Sequence, residues 1–341
     1  VKTFKASLLA EPEEIKNKSG LPFKVFTPFW KHCLKKLNAS TPLPAPQKVE
    51  PPKVSLRTTE LSELNLEPEQ DWGHSMNEVW TPGERGAASA LELFINDSFN
   101  DYAKIRNFPN TKGTSRLSPH LRFGEISPRQ IKHSLEQSGH AQWKESHYLS
   151  EIGWREFGYH LLYHFPHTVR EPLRPQFNRF PWKENSPQLR SWQKGQTGYP
   201  LVDAGMRELW ATGWMHNRVR MVVASFLVKH LLIHWRHGAD WFWDTLVDAD
   251  LASNTQGWQW TAGSGADAAP YFRIFNPTTQ AIKFDPEGDY IRKWVPELRH
   301  MSAPDIFEPS KVDRGQNYPN PIVNHSDARD RALKAYEKTK A

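Results

Sequence analysis

The chain has 341 residues, 38% hydrophobic and 24% charged, with a formal charge of +6 and a single cysteine, Cys33. This composition describes a globular protein with a sizeable core and excludes a disordered chain. No apolar run reaches the roughly 18 residues of a membrane span. One cysteine permits no internal disulfide or thiolate cluster and fits a reducing compartment, cytoplasm or nucleus, while the positive charge leans towards a polyanionic partner.

Residues 1–25 hold a strand-like stretch at 6–9, a charged turn and the start of an apolar run. Thr27 and Pro28 open a predicted helix over 29–37. Between 38 and 71, Pro42, Pro44, Pro46, Pro51 and Pro52 accompany few large apolar residues, which reads as an extended linker. Beyond it the apolar spacing turns helical and stays so, with predicted helices over 87–102, 128–137, 147–164, 201–212, 216–236, 239–247 and 326–339. Strand and hairpin signals are scarce and no fixed period repeats. The expectation is a mainly α fold.

Four segments carry groups capable of chemistry. Gly113, Thr114, Ser115, Arg116, Leu117 and Ser118 place hydroxyls, a guanidinium and backbone N–H groups at a helix start. That suits a phosphate cradle, and equally an ordinary N-cap. On the predicted helix 147–164, Glu151, Trp154 and Arg155 share a face, as a ring-stacking pocket with a polar edge or as a solvated ion pair. Asn217, Arg220 and Met221 lead a polar edge into an apolar helix and need partners there, either interhelical bonds or a polar heterocycle. Asp248, Asp250, Asn254, Trp258 and Trp260 crowd what reads as a short acidic segment. Its spacing departs from a calcium loop, so no metal is expected, and no second feature supports paired-carboxylate hydrolysis.

In this order, together with Thr197-Gly198-Tyr199-Pro200, the stretch 268–277 and Asp285-Pro286-Glu287-Gly288-Asp289-Tyr290, these segments resemble the photolyase/cryptochrome flavoproteins over about residues 25–338. The resemblance implies a helical FAD-binding domain at 76–341. Before it would come a connecting helix and linker at 26–75, and at 1–25 the tail of an α/β, Rossmann-like antenna domain. It implies that Tyr102, Thr114, Ser115, Arg116, Leu117 and Ser118 hold the phosphates and ribityl chain. Arg220 and Asp248 would pair beside the isoalloxazine, Asp250 would lie along its edge and Asn254 would face N5, with Arg155 and Asn217 also counted as cofactor contacts. Glu151, Trp154, Asn217, Met221 and Trp260 would line a pocket for a flipped lesion, and Arg106, Arg218 and Arg273 would meet the flanking phosphates. Trp258, Trp235 and Trp182 match the family's electron relay.

Within the family, Asn217 and Met221 stand where (6-4)-lesion enzymes typically carry histidine. Asn254 is the photolyase choice, where plant cryptochromes have aspartate and animal ones cysteine. Little follows the last predicted helix, which also argues against a signalling cryptochrome. The function implied is light-driven repair of cyclobutane pyrimidine dimers in double-stranded DNA by a monomer, most like a class I enzyme. The alternative is a cryptochrome photoreceptor that binds FAD without repair. Tyr148 departs from the tryptophan common at its position. A second antenna chromophore, folate or deazaflavin, belongs to the expectation for a full-length protein.

Overall fold

The computed structural model describes residues 6–36, 41–66, 73–268, 272–312 and 317–340. The first residues of the expected antenna tail, parts of the 38–71 linker and the Ala269-Pro270-Tyr271 portion of the family motif lie outside the described residues.

Helix α7, His147–His164, is the spine of the N-terminal half. Ser146 caps it, its hydroxyl accepting from Leu149 N–H, an arrangement worth about 1 kcal/mol. Its buried residues recur around most of the helix, because α1 (Phe26–Lys36) covers one side and α12 (Leu251–Ala262) another. Gly153 makes the first contact possible: a Cβ there would stand 2.6 Å from the Trp30 indole. Helices α2 (His74–Asn77), α3 (Glu84–Asp97), α4 (Tyr102–Ile105), α5 (Ser118–Phe123) and α6 (Pro128–Gln137) precede α7. The core of this half joins Leu9, Ile15, Phe29 and Trp30 to Leu91, Phe94, Ile131, Leu149 and Phe157.

A second core gathers α8 (Ser186–Gln193), α9 (Pro200–Thr212), α10 (Asn217–Ser225), α11 (Trp235–Thr245), α12 and α14 (Asp289–Trp294) around Trp192, Trp235 and Trp258. Helices α13 (Pro277–Phe284) and α15 (His325–Glu337) complete the chain. No described helix is long and apolar enough to cross a membrane.

Three expectations need correcting. The strand-like stretch at 6–9 forms no strand, since Leu9 and Ala10 N–H groups are taken by the buried Glu156 carboxylate at 2.8 and 3.2 Å instead of a neighbouring strand. The single helix over 216–236 is broken. A π-turn at Phe226–His230 follows α10, Leu232 then takes a left-handed φ of 57°, and His234 caps α11. The acidic segment after Asp248 is a loop only to Asp250, whose side chain caps α12 by accepting from Ser253 N–H at 2.7 Å.

Candidate active site

The end of α9 and the loop before α10 meet Arg116 of the 113–118 loop, and Arg220 joins the Trp214 ring there to Asp248. Arg220, on α10, donates through Nε to the Met215 carbonyl at 2.7 Å and through Nη2 to Asp248 Oδ2 at 2.8 Å. Asp248 is buried, and its Oδ1 has no hydrogen-bond partner among the described residues. Arg116 stands in the left-handed region at φ 53°, a strain that functional loops often store. Its guanidinium lies over the Trp214 ring at 4.3 Å and the Trp80 ring at 5.3 Å. Burial lowers its pKa, against the pull of Glu208. Ser115 accepts from the Tyr148 hydroxyl at 3.0 Å, so the residue that departs from the family pattern braces the loop. Tyr102 packs edge-on against the same Tyr148 ring, 5.4 Å away, and Leu117 is buried beside them. Thr114 is partly buried and Ser118 exposed at the head of α5.

His216 sits at the centre of this cluster. It caps α10, its Nδ1 accepting from Arg218 N–H at 3.2 Å, so the proton resides on Nε2. Burial, then Arg220, Arg218, Arg106 and Arg116, holds its pKa at about 3, so it is neutral. Its buried Nε2 also finds no partner among the described residues. An orphaned acceptor on Asp248 and an orphaned donor on His216, with Asn217 exposed nearby, fit a ligand whose polar edge presents both donor and acceptor groups.

On the outer side, Arg106 Nη1 pairs with Glu151 Oε1 at 2.6 Å and lies over the Tyr102 ring at 5.1 Å. Burial works against the Arg106 charge, but Glu151 and Tyr102 carry its pKa above the usual value. Arg218 donates to Asn107 Oδ1 at 2.7 Å and lies over the Phe284 ring at 4.4 Å. Its pKa is lowered by burial and by Arg106 and Arg273, so the three expected phosphate contacts share one field. Trp260 borders a pocket with Arg273, Arg174 and Lys229, and the Lys229 amine donates to the Arg273 carbonyl. Trp154 stacks on Phe26, centroids 3.7 Å apart, and keeps 38% of its surface exposed. Met221 is half-buried one residue beyond Arg220.

Helix α12 turns its residues two ways. Asn254 and Trp258, one turn apart, face α11: Asn254 Nδ2 donates to the Ala239 carbonyl at 2.9 Å, and the Trp258 indole lies against Gly238, where a Cβ would stand 2.0 Å from the ring. Trp235 is one turn before Gly238 and wholly buried. The His234 ring bridges outward, 5.4 Å from Trp235 and 4.9 Å from the partly buried Trp182. His234 thus links the buried Trp235 to the partly buried Trp182 through ring contacts.

Arg155 does not point into this cluster. Its Nη1 donates to the Ser7 carbonyl at 2.7 Å and its guanidinium covers the Tyr159 ring at 4.7 Å, while the Tyr159 hydroxyl donates to Asp250 Oδ2. Sequence reading passed over both Tyr159 and His216. Tyr159 carried a signal, one turn from Arg155 on the same helix; His216 carried none, because histidine is not a usual capping residue and its cap is seen only in the structure.

A family model described as the FAD binding domain of DNA photolyase matches residues 148–338, and one described as DNA photolyase matches residues 1–47. The deoxyribodipyrimidine photo-lyase of Agrobacterium fabrum is 47% identical over 353 residues, spanning 100% of this chain and 74% of that protein. The enzyme of the same name from Escherichia coli is 44% identical, spanning 98% of this chain and 72% of its own length. The crystal structure of a bacterial class III photolyase from Agrobacterium tumefaciens superposes with a TM-score of 0.94 at 46% identity, covering 99% of this chain and 73% of that one. With a helical fold and a polar cluster of this kind, those likenesses place the chain in the photolyase/cryptochrome family, whose FAD-binding domain it carries.

Proposed function

We propose that this chain repairs cyclobutane pyrimidine dimers in double-stranded DNA under blue light. When bound in its reduced form, FAD would supply light-driven one-electron chemistry at the dimer with no net redox change, so no cosubstrate would be consumed. The polypeptide's tasks are to hold that cofactor, extract the lesion and shield the pair from water.

The observation that carries this reading is the Arg106–Glu151 pair at the edge of the His216-centred arginine cluster. Cations just after α4, on α10 and in the 272–276 segment suit phosphates on either side of a flipped dimer. A phosphate competing for Arg106 would release Glu151 to hydrogen-bond the polar edge of the pyrimidines. The exposed faces of Trp154 and Trp260 suit stacking on them, at about 1–3 kcal/mol per base. Arg220, Asp248, Asp250 and Asn254 would hold the flavin ring, and Tyr102 with residues 114–118 the remainder of the cofactor. A purely light-sensing role would leave the Glu151, Trp154 and Trp260 mouth without a task. The likeness to the class III structure favours that class over the class I type expected from sequence. Residues 1–25, 26–75 and 76–341 remain our division into antenna tail, connection and catalytic domain.

Binding in darkness tests this reading. The FAD-loaded protein is expected to bind a duplex with one dimer at least tenfold more tightly than the undamaged duplex, on the scale of one stacked base. Equal affinities would contradict it.

A further inference from the structure

We infer that Tyr159 is a positioning residue that fixes the Asp250 carboxylate at the flavin edge, and that Arg155 acts by holding Tyr159. The inference rests on the FAD site proposed above and assigns it two residues from α7.

Both oxygens of Asp250 are engaged from different directions. Oδ1 accepts from Ser253 N–H at 2.7 Å as the cap of α12, and Oδ2 accepts from the Tyr159 hydroxyl across the helix interface. Burial, then the bond to Asp250 and its charge, pushes the Tyr159 hydroxyl up to about 12, so at working pH it is protonated and can only donate to the carboxylate. Arg155 packs its guanidinium 4.7 Å above the Tyr159 ring and is itself tied to the Ser7 carbonyl at 2.7 Å. On the other flank, Arg122 Nε donates to the Ala249 carbonyl at 2.5 Å, steadying the residue before Asp250. A carboxylate held on one side only could turn about its Cα–Cβ bond; held on both, it presents one fixed edge. The same contacts set the start of the helix that carries Asn254 and Trp258, so the N-terminal segment at Ser7 connects through Arg155 and Tyr159 to the cofactor site.

The hydroxyl also disperses charge that Asp250 would otherwise direct at the flavin, and charge-assisted bonds of this kind are the stronger ones. Tyr159→Phe keeps the ring under Arg155 and removes only the donor. In the FAD-loaded protein it is expected to weaken FAD binding about tenfold, read from fluorescence of released flavin, and to lower the flavin midpoint potential in a spectroelectrochemical titration. In an Asp250→Asn background, where the amide still caps α12, Tyr159→Phe should change neither quantity further. Arg155→Gln should move both in the same direction by less, and add nothing to Tyr159→Phe. Unaltered FAD affinity and potential in Tyr159→Phe would overturn the inference, as would an equal loss in the Asp250→Asn background. Independent addition of the Arg155→Gln effect would overturn the part assigned to Arg155. A wild-type protein that takes up no FAD would instead overturn the cofactor reading itself.

Discussion

Arg220 and Asp248 meet at 2.8 Å, with the carboxylate side chain only 4% exposed and its second oxygen without a hydrogen-bond partner among the described residues. A buried pair adds little net stability, but removing one partner strands the other charge. Arg220→Leu is therefore expected to destabilise the protein by about 3–5 kcal/mol and to abolish flavin retention. Thermal melts and flavin content after gel filtration check this; a variant with full flavin and an unchanged melting temperature would exclude the pair from the site.

Trp154 offers one face to Phe26 and the other to solvent. Trp154→Ala should weaken binding of dimer-containing DNA by about 1–3 kcal/mol, the worth of one stacked base. Loss of the Phe26 contact should cost only about 1 kcal/mol of stability, and FAD should stay bound. Dark titrations with damaged and undamaged duplexes separate these effects. Unchanged affinity for the damaged duplex would remove Trp154 from the pocket.

Trp182 lies 4.9 Å from the His234 ring, which lies 5.4 Å from Trp235. Trp182→Phe should slow photoreduction of oxidised flavin, while protein reduced chemically beforehand should repair normally. Loss of both activities together would mean that Trp182 serves the fold or the lesion site.

Much of this was legible in the chain. The helices at Pro128–Gln137 and His147–His164 match their predicted limits because Ser127 and Ser146 cap them and the apolar period is unbroken. The break after α10 was hidden because 216–236 keeps its apolar period across the π-turn, and what ends the helix is the backbone turn at Leu232. Helix α12 is absent from the predicted helices because its polar and indole residues mask the period; only Asp250, an N-cap type, marks its start. The Arg220–Asp248 pair followed from the family resemblance and is present in the fold. The turning of Arg155 towards Ser7 could not be read, because that contact spans 148 positions of sequence.

Buried histidines and buried carboxylates pull the pH dependence of stability in opposite directions. Burial, chiefly, holds His216 and His230 at about 3, and His160 and His234 at about 4. All four would take up protons near pH 6.5 once unfolded. Between pH 6.5 and 4 the unfolded chain therefore binds the extra protons, and stability falls with pH. Glu156, raised by burial to about 7, and Asp285, raised to about 6, oppose this, since the fold keeps their protons where the unfolded chain has lost them. Asp203 and Glu208, also raised by burial, act with those two carboxylates, and His325, lowered by burial, acts with the histidines. The measurable quantity is each set's share: in urea denaturation at pH 7 and pH 5, a fully buried histidine such as His216 contributes a loss on the order of 2 kcal/mol on acidification. Glu156→Gln should steepen the loss. A pH dependence that Glu156→Gln leaves unchanged would contradict these assignments.

The central claim is tested most directly by repair itself. Purified, FAD-loaded and chemically reduced protein is mixed with an oligonucleotide duplex containing one defined cyclobutane dimer, and restored bases are counted after blue light and after darkness. Restoration in the light alone is the expected result. Bound, reduced FAD with no restoration in the light would contradict dimer repair and favour a light-sensing role.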